Sequence, residues 1–201
     1  MLIEAPPEDL CLGFANTRYW RGSEPVENLK TTADLFAWLR KSGGLPKAAV
    51  EAGIARWSDR SKPAPGFFES ALAIREAIYR LFIAVAAGEP AADADMATIN
   101  GALAEAPARL RLVRDGDAYA WDVPAKEPSI AGLLTPVLWS AADLLTRGEH
   151  ARIRRCANEK CLWLFFDRSK SGTRRWCDMN ACGNREKSHR HYLKTKQAAQ
   201  G

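Results

Sequence analysis

Four of the five cysteines in this 201-residue chain fall in one short stretch, Cys156-x4-Cys161-x15-Cys177-x4-Cys182. Two close pairs separated by a hairpin-sized segment can bring four thiolates around one ion. Zinc suits such a set, because it has no redox chemistry of its own and accepts four sulfurs tetrahedrally. A site of four sulfurs is closed, with no open position for a reactive water, so the chemistry expected is structural rather than catalytic. Other readings of the same residues are two disulfides, His189 or His191 in place of a cysteine, a zinc with an open position, and a rubredoxin-like iron site. Cys11 lies apart in the apolar stretch DLCLGF and reads as a buried thiol acting as a small hydrophobe. An odd count without a secretory leader favours a reducing compartment, and the cytoplasm is the expected location.

The net charge of +5 conceals an asymmetry. Residues 152–201 carry thirteen Lys or Arg against four Asp or Glu, about +9, whereas residues 1–151 carry sixteen against twenty, about −4. The basicity belongs to the cysteine-rich end, where a local positive field attracts phosphates over a Debye length. Candidate nucleic-acid contacts are Arg154 and Arg155 before the first cysteine, and Arg174 and Arg175 before the third. Four more, Arg185, Lys187, Arg190 and Lys194, follow the last cysteine on a basic helix expected from Asn184. Phosphate contacts there give affinity, and an Arg reaching base edges gives sequence choice. Arg185 has a second reading as a brace for Asp167 or the hairpin. Asp167 and Ser169 are expected to tie a turn. Asn184 is expected to cap the helix or orient a thiolate. Trp163 and Trp176 are read as packing residues, with base stacking as the alternative.

The elements that must position these residues read as mainly α with a small β-hairpin, followed by a C-terminal treble-clef or zinc-ribbon-like zinc module. Helices are expected over 8–17, from Thr31 or Thr32 to Gly43–Gly44, from Pro46, over 67–87 and over 92–105. A loop is expected at RYWRGSEPVEN, and Pro63 and Pro65 mark a break. Alternation around Asp115–Gly116 predicts a hairpin within 108–123. A helix over 128–147 contains Pro136, which either kinks it or marks its real start. In the zinc module, 162–166 and 173–176 are expected to be the paired strands. The domains expected are 1–149, a helical sensor or regulatory unit; 150–196, the zinc module; and a flexible tail, 197–201. Polar residues within the first unit suggest an effector pocket built from Asn16, Arg18, Trp20 and Arg75.

The C-terminal segment resembles the CGNR zinc finger. It carries the naming tetrad Cys182–Gly183–Asn184–Arg185, the basic pair Arg154–Arg155, the run Phe165, Asp167, Ser169 and Lys170, and Arg174–Arg175–Trp176–Cys177. The N-terminal region is similar to the helical stress-induced transcription regulator (ABATE) domain that accompanies this finger. DLCLGFANTR keeps that domain's Phe14, Asn16 and Thr17, with Gly13 and Ala15 departing from the commoner wording. The resemblance implies one structural Zn2+ held by Cys156, Cys161, Cys177 and Cys182, and a DNA-binding transcriptional regulator. No Gly-rich phosphate loop, acid pair or nucleophile motif is present, so an enzyme is not expected. The competing reading is a zinc-stabilised protein-interaction module, with RNA binding a variant of the first. A small-molecule effector and a second copy of the chain are the further partners this leaves room for.

Overall fold

A computed structural model describes residues 1–57, 66–124 and 129–198. Pro63, Pro65 and residues 199–201 lie outside the described residues, as do the side chains of Arg190, His191 and Lys194.

The longest helix, α4 (Phe67–Ala87), organises the core, burying Ala71, Ile74, Ala77, Ile78, Leu81 and Phe82 on one stripe. Against it pack α1 (Leu10–Ala15) and α5 (Asp93–Glu105), and α7 (Thr135–Thr146) closes over α1. Helix α2 (Thr32–Ser42) starts at Thr31, whose hydroxyl accepts the Asp34 N–H while the Asp34 carboxylate accepts the Thr31 N–H. This reciprocal cap satisfies two otherwise orphaned amides. It ends at Gly43, where φ is +69°. Helix α3 (Lys47–Trp57) follows Pro46. Pro136 marks a real start: a short α6 (Ile130–Leu133) precedes α7, and the proline sits in the first turn of α7, where no amide donor is needed. Among the described residues, no helix is long and apolar enough to cross a membrane.

Strands β4 (Arg111–Asp115) and β5 (Ala118–Asp122) form the expected hairpin. Its turn falls at Gly116–Asp117, one residue later than the Asp115–Gly116 reading, with φ of +61° at Gly116. β1 (Leu2–Ile3) adds to it in the order β1-β5-β4. The stretch expected as a loop is a ribbon of β2 (Arg18–Tyr19) and β3 (Val26–Glu27). Only two residue pairs form, too few for an alternating pattern to show.

The C-terminal hairpin also differs from expectation. β7 (Leu164–Phe166) pairs with β6 (Ile153–Arg155), upstream of the first cysteine, and 173–176 is a loop. Ile153, Leu164 and Phe166 are buried in the same core as α1 and α4. Residues 173–176 are drawn instead toward Asp167, whose carboxylate accepts the Arg174 N–H at 2.7 Å. Through Ile153, Leu164 and Phe166 the cysteine-bearing hairpin shares the core of the helical body. After a π-helical turn (Met179–Gly183), α8 runs from Asn184 to Ala198.

Candidate functional site

The β6–β7 hairpin carries the first cysteine pair at its tip. The Cys156 N–H donates to the Trp163 carbonyl at 2.7 Å, extending the ladder to the edge of the Cys-x4-Cys loop. Asn158 shapes that loop, its side-chain oxygen accepting the Lys160 N–H at 3.0 Å. The second pair brackets the turn into α8, which Asp178 caps by accepting the Ala181 N–H. Together these elements bring Cys156, Cys161, Cys177 and Cys182 to one point, with all four sulfurs within 4.8 Å of one another and none bonded to another. The Cys161–Cys177 and Cys177–Cys182 separations are both 3.8 Å. Four sulfurs on a tetrahedron at about 2.3 Å from a zinc ion stand roughly 3.8 Å apart. The cluster thus has the dimensions of a tetrathiolate metal site. The hydrogen bonds that Cys161 and Cys177 give to Cys156 drive its thiol down, and that same bond to Cys156 holds the Cys161 thiol up. Without a cation the four cannot all be thiolates, and a divalent ion supplies the charge that lets them be so.

The surroundings fit this role. Asn158 donates to the Cys182 sulfur at 3.7 Å, a task the sequence suggested for Asn184, whose amide donates instead to the Asn180 carbonyl. Phe165, Trp176 and Trp20 wrap the cluster in apolar surface. Asp167, fully buried, ties the loop as expected, accepting the Ser169 N–H at 2.9 Å beside the Arg174 N–H. Burial opposes its ionisation, but hydrogen bonds from Ser169 and Arg174 and the charge of Arg154 bring its carboxyl down to about 2.

Three tethers fasten the cysteine-bearing hairpin to the helical body. Asn16 donates to the Leu164 carbonyl at 2.8 Å and accepts the Leu164 N–H at 3.1 Å, imitating a neighbouring strand. The Tyr79 hydroxyl donates to the Leu162 carbonyl at 3.0 Å. The Gly22 N–H donates to the Lys160 carbonyl, and the approach is so close that a Cβ at Gly22 would lie 1.7 Å from the Glu159 carbonyl oxygen. Trp20 and Leu162, at this junction, both have φ of 56°. Bulky residues avoid that region unless their surroundings hold them there.

The expected effector residues are dispersed among other tasks. Asn16 is a tether. Arg75, 2% exposed, grips Glu27 through two bonds of 2.6 Å and donates to Glu76 and Thr17. Burial opposes ionisation of Glu27, but Arg75 outweighs it and holds the carboxyl below its usual range. Arg18 lies on β2 opposite Glu27. Trp20 faces the sulfur cluster and lines a cavity of about 180 Å³ with Tyr19, Trp163 and Arg185. That aromatic groove was missed in the sequence, because it joins two ends of the chain.

The eight expected nucleic-acid residues separate into three groups. Arg154 and Arg174 are turned inward: Arg154 donates to the Gly172 carbonyl, and Arg174 to the Trp176 and Cys177 carbonyls while covering the Phe165 ring. Arg155, Arg175, Arg185 and Lys187 are exposed. Arg185 lies over the Trp20 ring, 4.6 Å from its centre, and does not brace Asp167. Arg190 and Lys194 belong to α8, but their side chains are outside the described residues.

No curated protein matches the chain. Residues 152–195 match the CGNR zinc finger, and residues 8–148 match the ABATE family, described as a "putative stress-induced transcription regulator". The chain belongs to the ABATE family and carries a CGNR zinc finger after that domain.

Proposed function

We propose that the protein is a DNA-binding transcriptional regulator whose C-terminal module is held in shape by one structural zinc ion. The observation that carries this reading is the placement of Arg155, Arg175, Arg185 and Lys187. All four are exposed, on the segment that holds the cysteines and the chain's excess positive charge. Unneutralised guanidinium and ammonium groups are what a phosphate backbone exchanges for its condensed counterions. A knuckle on a hairpin tip, followed by a helix whose start holds the last ligand, supports a treble-clef-like reading of the module. The ion, when bound, supplies cross-linking free energy and charge to the four thiolates. Four sulfurs leave it no place for water, which favours binding over catalysis. Free thiols in this number suit a reducing compartment such as the cytoplasm.

A second reading has its own observation. The groove of Tyr19, Trp20 and Trp163 beside Arg185 offers π-faces to an unpaired base, with Trp163 37% exposed. Titration of the zinc-loaded full chain against duplex DNA, single-stranded DNA and RNA over a range of salt separates the two. Preferential duplex binding with a steep salt dependence is expected. Preference for single strands, lost on Trp163→Ala, would move the function to unpaired nucleic acid. Absence of binding to all three at low salt would leave the protein-interaction alternative.

A further inference from the structure

In the hairpin of β4 and β5, Trp121 of β5 packs against the core, whereas β4 is covered by nothing among the described residues. β4 is an edge strand, and four of its five residues are exposed. An apolar patch sits beside this open edge: Leu110, Leu112 and Tyr119 are 74%, 56% and 65% exposed. Leu112 stands opposite Trp121, and Tyr119 opposite Arg114, so Leu112 and Tyr119 share one face of the sheet. Edge strands of this kind are templates for pairing with another chain unless blunted.

We propose that β4 pairs antiparallel with β4 of a second copy, about a two-fold axis through Val113, to make a six-stranded sheet across the dimer. The backbone fixes which registers are open. In a two-residue hairpin the closing pair, here Asp115 and Ala118, exchanges hydrogen bonds, so Asp115, Val113 and Arg111 direct their amides toward β5. Leu112 and Arg114 therefore present theirs at the free edge. A two-fold at Val113 sets Leu112 opposite the partner's Arg114, so that outward amides meet outward carbonyls on both strands. The same register places Arg111, which also donates to Asp122 across the hairpin at 2.6 Å, opposite the partner's Asp115, twice by symmetry. Sliding the strands toward Leu112 leaves Arg111 facing the partner's Val113, and sliding them the other way sets Arg114 against its own copy. Of the three registers, only the one centred on Val113 joins charge complementarity to matched backbone groups. Opposite charges directly across a strand pair are favourable, and like charges are not. The occupant that this edge fits is thus its own copy. The proposal stands apart from the nucleic-acid reading, although a closed two-fold dimer would present two basic modules symmetrically.

The test is the mass in solution of the zinc-loaded full chain, by sedimentation equilibrium across the micromolar range. Wild type is expected to be dimeric. Leu112→Lys, at an exposed position, is expected to be monomeric with unchanged circular dichroism and zinc content. Arg111→Asp and Asp115→Arg each set like charges across the axis, so each is expected to be monomeric alone. Mixed in equal amounts, they restore both opposite-charge pairs, and the mixture is expected to be a heterodimer. A monomeric wild type, a dimer that survives Leu112→Lys, or a mixture that stays monomeric would each overturn the proposal.

Discussion

Replacing Asn16 by Ala probes how the helical body and the cysteine-bearing hairpin are joined. The side chain is 8% exposed and supplies both partners of the Leu164 peptide groups, at 2.8 and 3.1 Å. Alanine removes two buried hydrogen bonds and offers nothing in return. A buried backbone group left unpaired costs about 1–3 kcal/mol, so the pair costs roughly 2–6 kcal/mol. At about 2–4 °C per kcal/mol for a chain of this size, that lowers the midpoint of thermal unfolding by about 4–24 °C. Asn16→Asp should not rescue, because a carboxylate accepts from the Leu164 N–H but cannot donate to its carbonyl. Urea unfolding with excess zinc measures the loss, and transfer of zinc to a chelator should quicken in the same variant. An Asn16→Ala protein within about 0.5 kcal/mol of wild type, a change typical of an exposed surface site, would show that Asn16 does not hold the hairpin to the helical body.

Three further outcomes follow from the same contacts. Gly22→Ala should push the β2–β3 ribbon off the knuckle, because its Cβ meets the Glu159 carbonyl oxygen, a backbone atom that cannot swing away. Faster proteolysis within residues 18–27 is the readout, and wild-type resistance would contradict it. Glu27→Gln should cost roughly 3 kcal/mol in urea unfolding, since it leaves the buried Arg75 charge with Glu76 as its remaining carboxylate. A cost below about 1 kcal/mol would show that Arg75 is paired well enough without it. Burial pushes the Cys11 thiol up to about 12. It should resist alkylation at mildly alkaline pH until the protein unfolds, and labelling of native protein at Cys11, read by peptide mass, would count against that burial.

Much of the fold was legible where the physics is local. The Thr31 cap, the glycine stop at Gly43, the apolar stripe of 67–87 and the proline at 136 each act within a turn or two of themselves. The four cysteines were legible because metal-ligand spacing is itself a local signature. What escaped the sequence was long-range. The pairing of Leu164–Phe166 with Ile153–Arg155 depended on which apolar strand reached the core against α4, and both candidates looked alike in isolation. Asn16 and Arg75 read as pocket residues because buried polar groups look the same whether they await a ligand or a peptide group. Arg154 and Arg174 carry the same charge as Arg155 and Arg175, and only the fold distinguishes the pair turned toward backbone carbonyls from the pair left in solvent.

On this reading a metal-pinned module offers exposed cations to nucleic acid. The salt dependence of duplex binding by the full chain tests it most directly. Wild type is compared with a variant carrying Gln at Arg155, Arg175, Arg185 and Lys187. Each phosphate contact contributes about 0.9 to the slope of log affinity against log salt, so losing four lowers that slope by roughly 3 to 4. That fall is expected, with zinc content and circular dichroism unchanged. An equal slope in both proteins, or no duplex binding by wild type at low salt, would contradict it.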